Sequence, residues 1–397
     1  MKKNRAIPAL RHAMCLALAL LFLASCARQV KLYLPFGEDC AYAAGVYADE
    51  EGTKNKNKIT VNTYGNKPYS ALGVNRRAVQ VGDTLFTAIN AAQILEKINA
   101  DGKAATLFDA DMVGQVSYYG GYLYFSNYVP ILEPPIKGEF YATRLYRLDV
   151  GKGATEAELL FEAKIEREFF ASFQLCNGYL YMFGTKAYST YGVKRLDLSA
   201  KTDGKTSPML LSDTKVSAAQ VSGAKVYYLV RGQLHVASLR GVERSSLLDT
   251  NDVRAFCVVE DTIYYIHMDV PGVFALDLAT DTVSTFREEG NVEAFFSLSG
   301  VGAPDCFVVA ADGAKKTDAR QLIYQPEGSA AKVLAYDVMA LEYSYMQPFC
   351  EGGMVYYFSF ELSEDIKVKP NHGYINAIDV AAGTAETLYD WAITRGE

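Results

Sequence analysis

The sequence predicts an all-β ring, a seven-bladed β-propeller of four-stranded antiparallel blades, on two observations. A unit of short apolar strand, tight turn and aromatic-rich strand recurs, with clear copies at Gly121-Tyr122-Leu123-Tyr124-Phe125, Gly178-Tyr179-Leu180-Tyr181, Lys225-Val226-Tyr227-Tyr228, Thr262-Ile263-Tyr264-Tyr265 and Met354-Val355-Tyr356-Tyr357. Thr84-Leu85-Phe86 and Cys306-Phe307-Val308-Val309 are weaker copies. A second signature follows: an apolar residue, two others, Leu or Ile, then Asp or Asn, as in Leu95/Ile98/Asn99, Leu145/Leu148/Asp149, Val193/Leu196/Asp197, Val273/Leu276/Asp277 and Ile375/Ile378/Asp379. Degenerate versions near Arg240 and Pro326 complete seven closing positions, spaced about 47 residues apart, which suits four short strands per blade.

Each element follows from this unit. Gly-Gly, Asn-Gly or Glu-Asp before the aromatic strand suits a tight hairpin, where positive φ is needed. The strands lack clean apolar/polar alternation because blades cover both faces of a strand. The 28 tyrosines suit this packing, with rings on an apolar face and hydroxyls reaching the blade edge. The closing Asp is expected to accept hydrogen bonds from the backbone of the turn after it, a structural role. The blades fall at about 76–111, 112–164, 165–214, 215–251, 252–290, 291–339 and 340–392. Residues 91–100 also read as a helix, but the repeat makes them a strand. Residues 26–75 precede the propeller domain at 76–392 and are expected to supply an edge strand or cap. The alternative count is eight blades.

The chain opens on Lys2, Lys3, Arg5 and Arg11, followed by an apolar run from Ala13 to Leu23 that is too short to cross a bilayer. The run ends in Leu23-Ala24-Ser25-Cys26, which resembles the lipobox of bacterial lipoproteins. The resemblance implies a signal peptide at 1–25, a lipid on Cys26 as the new N-terminus, and an extracytoplasmic protein anchored to the cell membrane, or to the outer membrane in a Gram-negative envelope. Signal removal takes four basic and no acidic residues from a chain of net charge −7, so the anchored body is acidic. Anionic lipid should repel it, and nucleic acid is excluded as a partner. Cys40, Cys176, Cys257, Cys306 and Cys350 are scattered with no C-x-x-C and read mainly as small core hydrophobes.

The strand Gly272-Val273-Phe274-Ala275-Leu276-Asp277-Leu278 resembles the third strand of quinone-type propeller repeats, and the aromatic pair after a turn resembles TolB-like propellers and bacterial propeller lipoproteins. The likeness covers roughly residues 76–392. The Trp that ends each quinone-type repeat is missing, since Trp391 is the only one, so quinone-dependent catalysis is not implied. By analogy alone, the lipoprotein resemblance implies an envelope-assembly scaffold.

No catalytic, metal or cofactor site is expected. His235, His267 and His372 are far apart in sequence, and no H-E-x-x-H, G-x-S-x-G, Walker or EF-hand pattern occurs. Two sets of binding candidates remain. Aligned starts of the inner strands place Arg77, Gln115, Glu168, Ser217, Arg254, Glu293 and Glu342 around the channel mouth, as ligand contacts or as mutually paired charges. Unequal loops between second and third strands contribute Tyr128, Tyr141, Tyr188, Tyr191, His267, Asp269 and His372 on the same face. The leading reading is a monomeric, non-catalytic binding or scaffold module for an envelope protein or a small polar or glycan ligand. The alternatives are a carbohydrate- or peptide-processing hydrolase or lyase, whose groups would come from separate blades, and an envelope-assembly accessory.

Overall fold

The computed structural model describes residues 78–88, 95–100, 103–108, 112–130, 141–150, 156–162, 172–176, 178–183, 193–198, 206–209, 216, 218–223, 225–238, 244–298, 302–314, 318–338, 348–351, 353–360 and 372–392. These residues form 28 strands in seven four-stranded antiparallel sheets, each a simple meander, with no helix among them. The sheets span 78–108, 113–162, 172–209, 218–246, 253–287, 291–338 and 349–392, here blades one to seven. Each lies within one span read from the repeat. Residues 95–98 are a strand, as the repeat requires. The four described strands of every blade come from consecutive sequence, and residues 26–75, expected to supply an edge strand or cap, lie outside the described residues.

A single blade cannot bury its apolar sides, and the core accordingly lies between blades. Seven apolar clusters fill the seven seams. Phe86 and Leu95 of blade one meet Val113 and Phe125 of blade two. Tyr227 and Leu229 of blade four meet Phe256 and Tyr265 of blade five. The ring closes where Phe349, Phe358 and Ile375 of blade seven pack on Ala78, Leu85 and Ile98 of blade one. Each fully buried Phe or Leu contributes about 2 kcal/mol of transfer free energy, so each seam is a core in its own right.

Polar bonds register the seams. The Gln115 side chain reaches from the inner strand of blade two (Val113–Tyr119) to that of blade three (Ser172–Cys176). Its Nε2 donates to the Phe173 carbonyl at 2.7 Å, and its Oε1 accepts from the Phe173 N–H at 2.9 Å. Gln174 makes the same pair of bonds to Val221 of blade four, at 3.0 and 2.8 Å.

The turns behave as their sequences require. Arg231-Gly232 has φ of 51° and 79°, the two left-handed residues of a tight hairpin. A Cβ on Gly232 would stand 2.0 Å from the Asn251 carbonyl oxygen. Asp277 Oδ1 accepts from the N–H groups of Ala279 and Thr280, and Asp379 Oδ1 from Ala382, so the closing Asp caps its turn as expected. The tyrosines depart from expectation. Tyr124 and Tyr181 are wholly buried instead of reaching the edge. Each lies opposite an arginine of the third strand, Tyr124 against Arg147 and Tyr181 against Arg195. Those guanidiniums also cover Tyr122 at 5.0 Å and Tyr179 at 4.7 Å, a cation–π arrangement repeated in two blades. Burial pushes the Tyr124 hydroxyl up to about 12 despite the neighbouring cation.

Candidate functional site

The inner strands of blades two, five and six each carry a bulge near their first residues, between Val113 and Val116, Val253 and Ala255, and Val292 and Ala294. The residues inside these bulges include Gln115, Arg254 and Glu293. A bulge re-aims the side chain it carries, so these positions are set apart from the regular pleat. The three perform different tasks. Gln115 is fully buried and holds Phe173 across a seam. Arg254 and Glu293 approach each other across the seam of blades five and six, at 3.8 Å. Glu293 is held from behind by Arg320, whose Nε donates to Oε2 at 2.7 Å and whose Nη2 donates to Oε1 at 3.3 Å. Arg320 is 2% exposed and also bonds the Asp318 carbonyl. Two guanidiniums thus share one carboxylate, and Arg254 keeps one edge half-exposed beside it. This arrangement can take an anionic group of a partner.

The loop ends of the same face add a second polar group. Inner strands begin and second strands end on one face, as the pairing of Val253 with His267 shows. His267 Nδ1 lies 2.7 Å from Asp252 Oδ1, and Asp252 also accepts from the Thr250 hydroxyl. The imidazole stands edge-on to Tyr265 and Phe274, at 5.2 and 4.8 Å between centroids. The Asp252 carboxyl is lowered below its ordinary value, first by the Thr250 hydroxyl and then by His267. Asp269 is exposed in the turn after His267, beside exposed Met268 and Val270. His372 begins a third strand, stacks on Tyr374 and lies 4.0 Å from Asp390.

Tyr128 folds over the bulge of blade two. A Cβ on Gly114 would stand 2.6 Å from its ring, so glycine is needed there. Tyr141 begins a third strand, but its side chain lies outside the described residues. Arg77, Glu168, Ser217, Glu342, Tyr188, Tyr191 and Cys26 also lie outside them. Sequence reading missed Arg320. Its partner Glu293 is 27 positions away on another strand, and only strand register could have joined them.

No family model matches the chain, and no curated protein does. Solved structures are similar to it at low level. PorZ of Porphyromonas gingivalis, a surface component of a type-IX secretion system, is 14% identical over 77% of this chain and 44% of its own, with a TM-score of 0.41. This chain therefore spans under half of PorZ. The protein described as TolB from Agrobacterium tumefaciens is 14% identical over 60% of this chain and 85% of its own, at 0.41. An acylaminoacyl peptidase of Pyrococcus horikoshii is 10% identical over 73% of this chain and 51% of its own, at 0.45. At these levels the likenesses bear on neither family nor activity.

Proposed function

We propose that this protein is an extracytoplasmic propeller, lipid-anchored through Cys26, that binds a partner on the face where inner strands begin. The reading rests on the Arg254–Glu293–Arg320 cluster. One carboxylate shared by two guanidiniums leaves positive charge on a half-exposed Arg254 at a seam between blades. The bonds of Gln115, Asp252 and Arg320 hold the frame around it. A partner presenting Asp, Glu or another anionic group fits this face. Binding without chemistry is favoured because Gln115, Asp252, His267, Glu293 and Arg320 each have a fixed structural partner. The supporting test is crosslinked capture from intact membranes, comparing the wild type with Arg254→Ala. The same specific protein should be captured by the wild type and at least fivefold less by the variant. Equal capture with an intact fold removes this face from the reading. Reproducible turnover on a glycan or peptide panel would replace it with the enzymatic one.

A further inference from the structure

We propose that a cleft on the outer side of the seam between blades five and six binds a small zwitterion of the α-amino-acid type. The cleft lies between the end of the outer strand of blade five (Thr282–Arg287) and the turn at Gln325–Gly328 of blade six, and encloses about 400 Å³. That volume suits a small ligand. It is built on the outermost strand, whereas the Arg254 cluster begins on inner strands, so the two sites stand independently.

Arg287 forms the floor. Its guanidinium lies 4.7 Å over the ring of buried Phe307. Its Nε donates to the Glu289 carbonyl at 3.0 Å, and a terminal nitrogen donates to Gln325 Oε1. These contacts fix the plane of the fork, and all of them are neutral. Arg144, Arg147, Arg254 and Arg320 each have a glutamate within ion-pair distance. Arg287 is half-buried with no such partner among the described residues. Burial accordingly lowers its pKa, and Glu289 offsets that only in part. A fixed, partly desolvated guanidinium is a receptor for a carboxylate.

The mouth has the opposite sign. Glu288, Glu289 and Glu327 line it and are exposed. A simple carboxylate would be attracted by the floor and repelled at the mouth, and a simple amine the reverse. A molecule with its carboxylate inward and its ammonium outward is complementary to both. Phe286 and Pro326 form the walls and can meet an apolar side chain.

The test is ligand-observed NMR on the full-length protein with the standard amino acids, followed by titration of the best binder beside its amide and N-acetyl forms. The free amino acid should bind, and both blocked forms at least tenfold more weakly. Arg287→Gln should abolish binding. A triple Glu288→Gln, Glu289→Gln, Glu327→Gln variant, confined to exposed positions, should weaken the amino acid and strengthen its N-acetyl form. Absence of binding by every amino acid, equal binding of the amide, or unchanged affinities in the triple variant would overturn the proposal.

Discussion

Gln220 and Val258 face each other across the seam of blades four and five, joined by two hydrogen bonds of 2.8 Å. The glutamine Nε2 donates to the Val258 carbonyl, and the Val258 N–H donates to Oε1. A side-chain amide here replaces a strand neighbour. With Gln115 and Gln174 it forms a series linking four successive blades.

Replacing Gln220 with Ala would leave a buried N–H and C=O without partners. The expected loss is roughly 2–4 kcal/mol of stability, since each orphaned buried group costs about 1–3 kcal/mol. Denaturant unfolding reads it directly. A loss within the error of the extrapolation would show that water enters the seam and replaces the amide.

Two glycines with positive φ separate strain from collision. Gly232→Ala places a methyl on the Asn251 carbonyl oxygen and disturbs the bond from the Val253 N–H to the Gly232 carbonyl. Gly82 also has positive φ, but nothing lies within 4 Å of its Cβ position. Gly82→Ala should cost about 1 kcal/mol and Gly232→Ala clearly more, as a larger fall in melting temperature.

Asp252 predicts a pH dependence. Its folded-state pKa is depressed, chiefly by Thr250 and then by His267, so its contribution is present above the unfolded carboxylate value and lost as pH falls through the folded one. The wild type should therefore exceed Asp252→Asn in stability at pH 6. The gap should narrow below about pH 4, where an ordinary Asp is protonated. Paired melting curves across that range decide it, and a constant gap would exclude the carboxylate charge as the cause.

Cys257, Cys306 and Cys350 are buried thiols. Burial pushes the Cys257 and Cys306 thiols well above their ordinary values. All three should resist iodoacetamide in the folded protein and react once denatured, because the thiolate is the reactive form. Peptide mass spectrometry before and after unfolding gives the answer, and labelling in the native state would contradict the packing.

If the Leu23-Ala24-Ser25-Cys26 resemblance to a lipobox holds as proposed, Cys26→Ser moves the protein from the membrane fraction to the soluble fraction. Unchanged sedimentation with membranes would show another means of attachment.

The blades were legible because the strand pair and its closing Asp repeat locally, and Asp277 and Asp379 perform the turn role that their position implies. Less was legible of how the aligned residues are partnered. Aligned inner-strand starts singled out Arg254 and Glu293, which do meet, but gave no sign that Gln115 would turn into a seam. Bulges have no local sequence mark here, and Gln115 finds its partner 58 positions away. Tyr124 and Tyr181 were misjudged because each is wholly buried opposite an arginine of the next strand, a placement that depends on register.

The last seam joins residues far apart along the chain. Tyr389 of blade seven bonds Glu96 of blade one, 293 positions earlier. Among the described residues no covalent link shuts the circle there. A ribosome must deliver nearly the whole polypeptide before the first blade meets its second neighbour, and until then two greasy flanks stay uncovered. Such a chain has reason to meet a chaperone while it folds, and its slowest folding step should be the docking of its last blade on its first.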